Sequence, residues 1–261
     1  MTPSRRRAYP AGMVSASIPS PANLLAFCGR SLFREYGWSF FRRIAWPHPV
    51  KTARAVRAAA ALDVSGGLVD VPGPAVTFGG ARCIVGVGFC LKPLDPPCPS
   101  GRFNHDCAFL ENFRGGAPTE VPAPCRSCAI RECGLLALRA GAAFYVMTSA
   151  RDILLDVFAP ALDRGTFAAG AFALCRYSLR PFAVGLLAGG VRGWMWAFAS
   201  GDCRDYPTWL RADNGDKPDR TEIAAADRQA FRDFLRAAAQ ADPPARFEKL
   251  GNVLHPRTVP A

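Results

Sequence analysis

Six cysteines, Cys90, Cys98, Cys107, Cys125, Cys128 and Cys133, follow the spacing C-x7-C-x8-C-x17-C-x2-C-x4-C. Thiols at this density bind metal or exchange with disulfides. Within the run, only Cys125-x2-Cys128 has a recognised metal or redox spacing by itself. That pair opens a predicted helix, CAIRECGLLALRAG, where free N–H groups and the positive end of the helix dipole favour thiolate over thiol. Cys133 lies five residues beyond Cys128, about 140° round the helix at 3.6 residues per turn, and joins the same site only if the first turn distorts. Upstream, Pro93, Pro96, Pro97 and Pro99 stiffen the loop around Cys98, and SGRFNHDC sets His105 and Asp106 beside Cys107. A restricted loop loses less entropy when its thiols converge.

An iron–sulfur cluster commonly takes four thiolates, and tetrahedral zinc takes four sulfur or nitrogen ligands. Cys90, Cys98, Cys107, Cys125 and Cys128 supply enough for either. If Cys175 and Cys203 face the same crevice, the sulfur count exceeds one structural zinc site, and iron–sulfur chemistry becomes the expectation, with zinc and a metal-free thiol site as alternatives. Cys28 and Cys83 read as small buried hydrophobes.

The chain that must position these thiols has 261 residues, half of them hydrophobic, so it can bury a core without covalent staples. Ten cysteines in a chain of this size, behind an N-terminus with no clear apolar signal region after Arg5-Arg6-Arg7, point to a reducing cytoplasm and to metal-binding or redox use of the thiols. The most apolar stretch, PFAVGLLAGGVRGWMWAFAS, is interrupted by glycines and Arg192 and reads as helix, turn and buried strand.

From Gly79 onward the pattern alternates. ARCIVGVGFC, GAAFYVMTS, TFAAGAFALC and VRGWMWAFASGDC read as strands, with helices between them, so the expected fold is α/β: a Rossmann-like parallel sheet (βαβαβ) carrying a cysteine-rich loop insertion and flanked by N- and C-terminal helices. Ligands of such sheets bind at the carboxyl ends of the strands, near a switch in strand order. Those ends are Cys90, Thr148-Ser149, Cys175 and Asp202-Cys203. Cys175 and Cys203 are candidate reactive thiols, and Thr148, Ser149 and Asp202 candidate cofactor-binding residues, Thr148 and Ser149 having helix capping as their plainer role.

The net charge of +11 is uneven: residues 1 to 57 hold ten Lys or Arg against one acid, Glu35. There SLFREYGWSFFRRIAW places Phe33, Tyr36, Phe40 and Ile44 at helical spacing, and a second helix, VKTARAVRAAAAL, follows Pro47-His48-Pro49. The expected role is a helical hairpin packing on the main body, its basic face open to an acidic protein partner or a membrane surface. No nucleic-acid motif is present, and His48 and His255, each beside a proline, read as exposed loop residues. Three regions result: a basic helical segment over 1–65, a cysteine-rich metal-binding α/β domain over 66–220, and a C-terminal helix and tail over 221–261.

PCRSCAIRECGLLALRAGAAFYVMTSA, AGAFALCRYSLRPF and WAFASGDC together resemble a cysteine-containing domain family of unknown function, DUF one-sixteen, over roughly residues 120–210. The resemblance implies a Rossmann-like fold with cysteines after the strands, an iron–sulfur centre and no established reaction. It favours Cys125, Cys128, Cys175 and Cys203. The loop KPLDPPCPSGRFNHDC departs from that pattern. The functional expectation is a cytoplasmic iron–sulfur protein in electron transfer or redox catalysis, with a zinc-stapled interaction module as the alternative. Its substrate is not legible.

Overall fold

CIVGVG, AFYVM and AGAFAL are unbroken apolar runs, which suits strands buried on both faces. In the computed structural model, which describes residues 27–30, 35–115 and 120–257, they form β2 (Cys83–Gly88), β3 (Ala143–Met147) and β4 (Ala169–Leu174), every residue buried. With β5 (Arg192–Ala197) they pair in parallel as β5-β4-β2-β3. β1 (Leu68–Val71), which buries alternate residues as a half-covered edge strand does, adds antiparallel to β5. The hairpin of β6 (Arg246–Leu250) and β7 (Val253–Arg257) adds antiparallel to β3, completing a seven-stranded mixed sheet.

Alternate strand residues point to opposite faces and seed two cores. Ile84, Tyr145, Phe172 and Met195 share one core with α1 (Glu35–Phe40, extended by a π-helical turn, Phe41–Ala45), α2 (Pro49–Ala61) and α7 (Leu179–Gly189). That face also carries a helical run from α5 (Ala150–Ile153) through a π turn, Leu154–Phe158, to α6 (Ala159–Arg164). Val85, Phe144, Ala171 and Trp196 share the other core with α3 (Ala108–Asn112), α4 (Ala129–Arg139) and α9 (Ala225–Ala237). α8 (Tyr206–Asp213) follows β5.

The expected α/β class holds, with the sheet mixed at both edges. The C-terminal region corrects the expected helix and tail: after α9 comes a strand hairpin turning at Gly251 (φ +61°). RFEKL buries only Phe247 fully, so apolar periodicity misses it. The signal available was Gly251-Asn252 between two β-compatible runs. His255 is likewise no exposed loop residue: it sits half-buried in β7, stacked on Phe167.

The two basic helices pack onto the main body, with Ile44, Ala55 and Ala59 buried in the first core. Pro49 begins α2 where its missing N–H costs no hydrogen bond. Phe33 and the Arg5-Arg6-Arg7 tract lie outside the described residues. Among the described residues no helix is long and apolar enough to cross a membrane.

Candidate functional site

β2 is flanked by β3 on one side and β4 on the other, so the chain leaves the carboxyl ends of β2 and β4 in opposite directions. The crevice such a reversal leaves is present as a cavity of about 100 Å³. Cys90, Cys175, Cys203, Asp202 and Lys217 supply its polar wall, and Phe158, Phe182 and Trp209 much of its apolar wall. Phe27 and Tyr36, from the N-terminal segment, also line it, Phe27 packing against Tyr36, Tyr177, Tyr206 and Trp209.

Two glycines let this edge close. A Cβ on Gly88 would stand 3.0 Å from the Cys90 sulfur. Gly201 has φ +62°, and a Cβ there would meet the Arg220 carbonyl at 2.1 Å, so only glycine lets the chain turn into Asp202-Cys203.

Cys175 packs against the cluster that holds Cys203 and both line the cavity, which couples the two thiols through a hydrogen-bonding interaction. That bond, against the effect of burial and with help from Ser178, whose Oγ is 2.9 Å from the sulfur, lowers the Cys175 pKa. The same bond, reinforced by burial, raises that of Cys203. Lys217 Nζ lies 3.9 Å from the Cys203 sulfur. Cys90, within electrostatic reach of both, is pushed up to about 11 by burial. Burial also raises the Asp202 pKa.

A second thiol group occupies the loop side. Cys107 precedes the first residue of α3, Cys128 the first of α4, and Cys125 ends a 3-10 turn, Ala123–Cys125, just before. Cys98 accepts and donates turn hydrogen bonds with Gly101 and Pro93. Charge on Cys98, Cys125 or Cys128 acts on Cys107, charge on Cys98 or Cys128 acts on Cys125, and charge on Cys98 acts on Cys128. Burial first, and mutual repulsion after it, push Cys107 up to about 12 and raise Cys125 and Cys128. The N–H groups of Ile130 and Arg131 favour charge on Cys128, and that of Leu110 on Cys107.

Lys92, only 1 % exposed, lies beside this group. Its ammonium donates to Asn104 Oδ1 (2.5 Å) and the Asn104 carbonyl (3.0 Å). Burial lowers its pKa, whereas charge on Cys98, Cys107 or Cys128 would raise it. Sequence reasoning missed both Lys92 and Lys217, since nothing local distinguishes a lysine that will be buried.

The loop is pinned to the sheet by His105, whose Nδ1 is 2.8 Å from the Val146 carbonyl and whose Nε2 is 3.1 Å from Thr148 Oγ1. Thr148 donates to Asp152 (2.7 Å), and the imidazole stacks on Tyr145. Ser149 caps α5 by accepting from the Asp152 N–H at 3.1 Å. Asp106 pairs with Lys249 of β6, tying the loop's far side to the hairpin.

The predicted residues therefore divide. Cys98, Cys107, Cys125 and Cys128 gather in the loop; Cys90, Cys175, Cys203 and Asp202 gather in the crevice. Cys203 is thus the neighbour of Cys175, not of Cys98. Cys133 is buried in α4 and pushed up to about 12 by burial. Thr148 lines the crevice and also anchors the loop. Cys83 bonds locally to Gly79, and Cys28 is exposed. All ten cysteines are free.

Among the described residues no three Cys, His, Asp or Glu side chains are drawn to the spacing of a coordination shell. The donor chemistry of the loop group nevertheless suits a thiolate-ligated centre: four sulfurs, two of them at helix starts, with Lys92 and Arg131 as the neighbouring cations. The comparisons with known proteins find no matching family model, no matching curated protein and no matching solved structure.

Proposed function

We propose that this chain is a cytoplasmic iron–sulfur protein, its cluster held by Cys98, Cys107, Cys125 and Cys128 beside the carboxyl edge of a Rossmann-like sheet, acting in electron transfer or redox catalysis. The observation that carries the reading is Lys92: a buried ammonium whose direct hydrogen bonds go to a neutral asparagine, within electrostatic reach of Cys98, Cys107 and Cys128 and of Asp106, a carboxylate that Lys249 already pairs. A buried cation needs a compensating anion, and a centre ligated by four thiolates supplies one. The bound cluster would provide one-electron redox chemistry; its potential would follow net charge, hydrogen bonds to sulfur and burial. Here the chain's own contribution is the Lys92 charge, the helix-start N–H groups and the His105 anchor.

Protein purified without oxygen should carry iron and acid-labile sulfide and show visible thiolate-to-iron absorption. Stoichiometric zinc without iron, from cells supplied with both, overturns the cluster and selects the alternative, a zinc-stapled interaction module. A specific feature favours that second reading: Trp38, Trp46 (73 % exposed) and Val50 stand exposed beside Arg42 and Arg43, a surface of the kind that meets an acidic partner or a membrane.

A further inference from the structure

The crevice thiols are arranged as an outer and an inner sulfur. Cys175 follows β4 directly, is half-buried and lines the cavity, with the Ser178 hydroxyl 2.9 Å from its sulfur. Cys203, 5 % exposed, packs with Cys175 and lines the same cavity, and Lys217, itself 7 % exposed, holds its Nζ 3.9 Å from the inner sulfur. An attacking thiol must be accessible and carry negative charge; a resolving thiol can be buried until its turn, provided something stabilises its thiolate. The two sulfurs meet these different demands.

We propose that Cys175 and Cys203 form a thiol–disulfide exchange pair that reduces an apolar organic disulfide bound in the crevice. The Cys175 thiolate attacks one sulfur of R–S–S–R, the substrate S–S bond breaks, and R–S⁻ leaves, giving a mixed disulfide on Cys175. Cys203 then gives its proton to the departing thiolate and, with the Lys217 ammonium beside the charge so formed, attacks the Cys175 sulfur and expels the second R–S⁻. The substrate gains two electrons and becomes one thiol and one thiolate; the two cysteines lose two electrons and become a disulfide. An external dithiol restores them. Phe158, Phe182 and Trp209 make the wall suited to an aromatic or aliphatic R group. The lowered pKa of Cys175 and the raised pKa of Cys203 agree with these roles. None of the four loop sulfurs takes part, so the pair stands whether or not the loop holds a cluster.

The test uses the full chain as purified without oxygen, with its metal, reduced and freed of reductant, then given one equivalent of the neutral aromatic disulfide dithiodipyridine. Differential alkylation and peptide mapping should find the Cys175–Cys203 disulfide as the first product, with two equivalents of pyridinethione released. Cys203→Ser should stop at a mixed disulfide on Cys175 with one equivalent released, and Cys175→Ser should slow release at least tenfold. Both variants should keep the parent's metal content. The proposal is overturned if wild-type protein consumes the reagent while Cys175 and Cys203 stay reduced, or if Cys175 pairs with Cys90. Metal loss in either variant overturns it as well, because it would make these sulfurs ligands. The wild-type map decides even if a variant fails to fold.

Discussion

The loop and the crevice each join cysteines to one buried lysine, yet their electrostatics differ. In the loop, burial first and repulsion between neighbouring sulfurs after it make Cys107, Cys125 and Cys128 resist ionising until a cation arrives. In the crevice, Cys175 and Cys203 share a hydrogen bond, which makes one sulfur a better thiolate by holding the other as a thiol. The lysines differ accordingly: Lys92 is held by Asn104 within reach of Cys98, Cys107 and Cys128, whereas Lys217 points at one sulfur. Residue type alone therefore does not say whether a thiol group is built for a metal or for an electrophile; the partners of each sulfur do.

The sharpest way to break this contrast is to count metal across single variants. Cys125→Ser and Cys128→Ser should each cut loading to roughly a tenth or less, since a neutral hydroxyl is a poor substitute for a thiolate. Cys90→Ser and Cys133→Ser should load like the parent. Uniform loading across all four would dissolve the division between loop and crevice.

Lys92→Met sharpens the loop half. Without metal the variant should be more stable than the parent by about 1 kcal/mol, because a buried charge has been removed. With metal it should bind about tenfold more weakly, a loss of roughly 1.4 kcal/mol. Denaturant melts of both forms check the opposed signs; the same sign in both would sever Lys92 from the centre.

A third test concerns the crevice wall. Burial, partly offset by the Ala150 N–H bond, pushes Asp213 up to about 6. A carboxyl that holds its proton more tightly when folded favours the folded state at low pH, and that contribution is lost as pH rises from about 4 through 6. Asp213→Asn should flatten this part of the stability profile and gain on the parent above pH 6, by about 1 kcal/mol. Urea unfolding from pH 4 to 7.5 measures it, and parallel profiles for the two proteins would refute it.

The smallest effect is expected away from both thiol groups. Glu132 of α4 pairs with Arg228 (2.7 Å) and Arg232 of α9. Burial opposes its charge, but the two guanidiniums prevail and hold its pKa below the usual range. Its contribution is present above the unfolded-state pKa and lost as pH falls through the folded one. Glu132→Gln should cost about 0.5–1 kcal/mol at pH 7, fading below about pH 4, with metal content unchanged. A change in metal content would join Cys133, its neighbour in sequence, to the loop group after all.

Much of this architecture was legible in local pattern. Apolar runs of five or six residues separated by amphipathic segments specify β2 to β5 and the helices between them, because buried strands and one-sided helices each impose a period on the chain. Pro49, Ser149 and Gly190 mark boundaries for reasons that act within a few residues: a fixed φ, a capping hydroxyl and a positive φ. The antiparallel edges were less legible. β1 and β6 bury few side chains; main-chain pairing with distant β5 holds β1, and β6 is held by its hairpin partner β7, which itself pairs with distant β3.

The amino-acid sequence by itself determined which residue types are available and that cysteines follow three of the parallel strands. Only the tertiary structure decided their partition. Cys90 is eight residues from Cys98, yet the reversal of strand order at β2 places it with Cys175 and Cys203. Cys107 and Cys128 lie 21 positions apart but come together because α3 packs on α4, where Leu110 fills the space a Cβ on Gly134 would need. The burial of Lys92 and Lys217 has the same origin. Desolvation depends on everything that surrounds a group, and those surroundings are assembled from segments far apart in the chain.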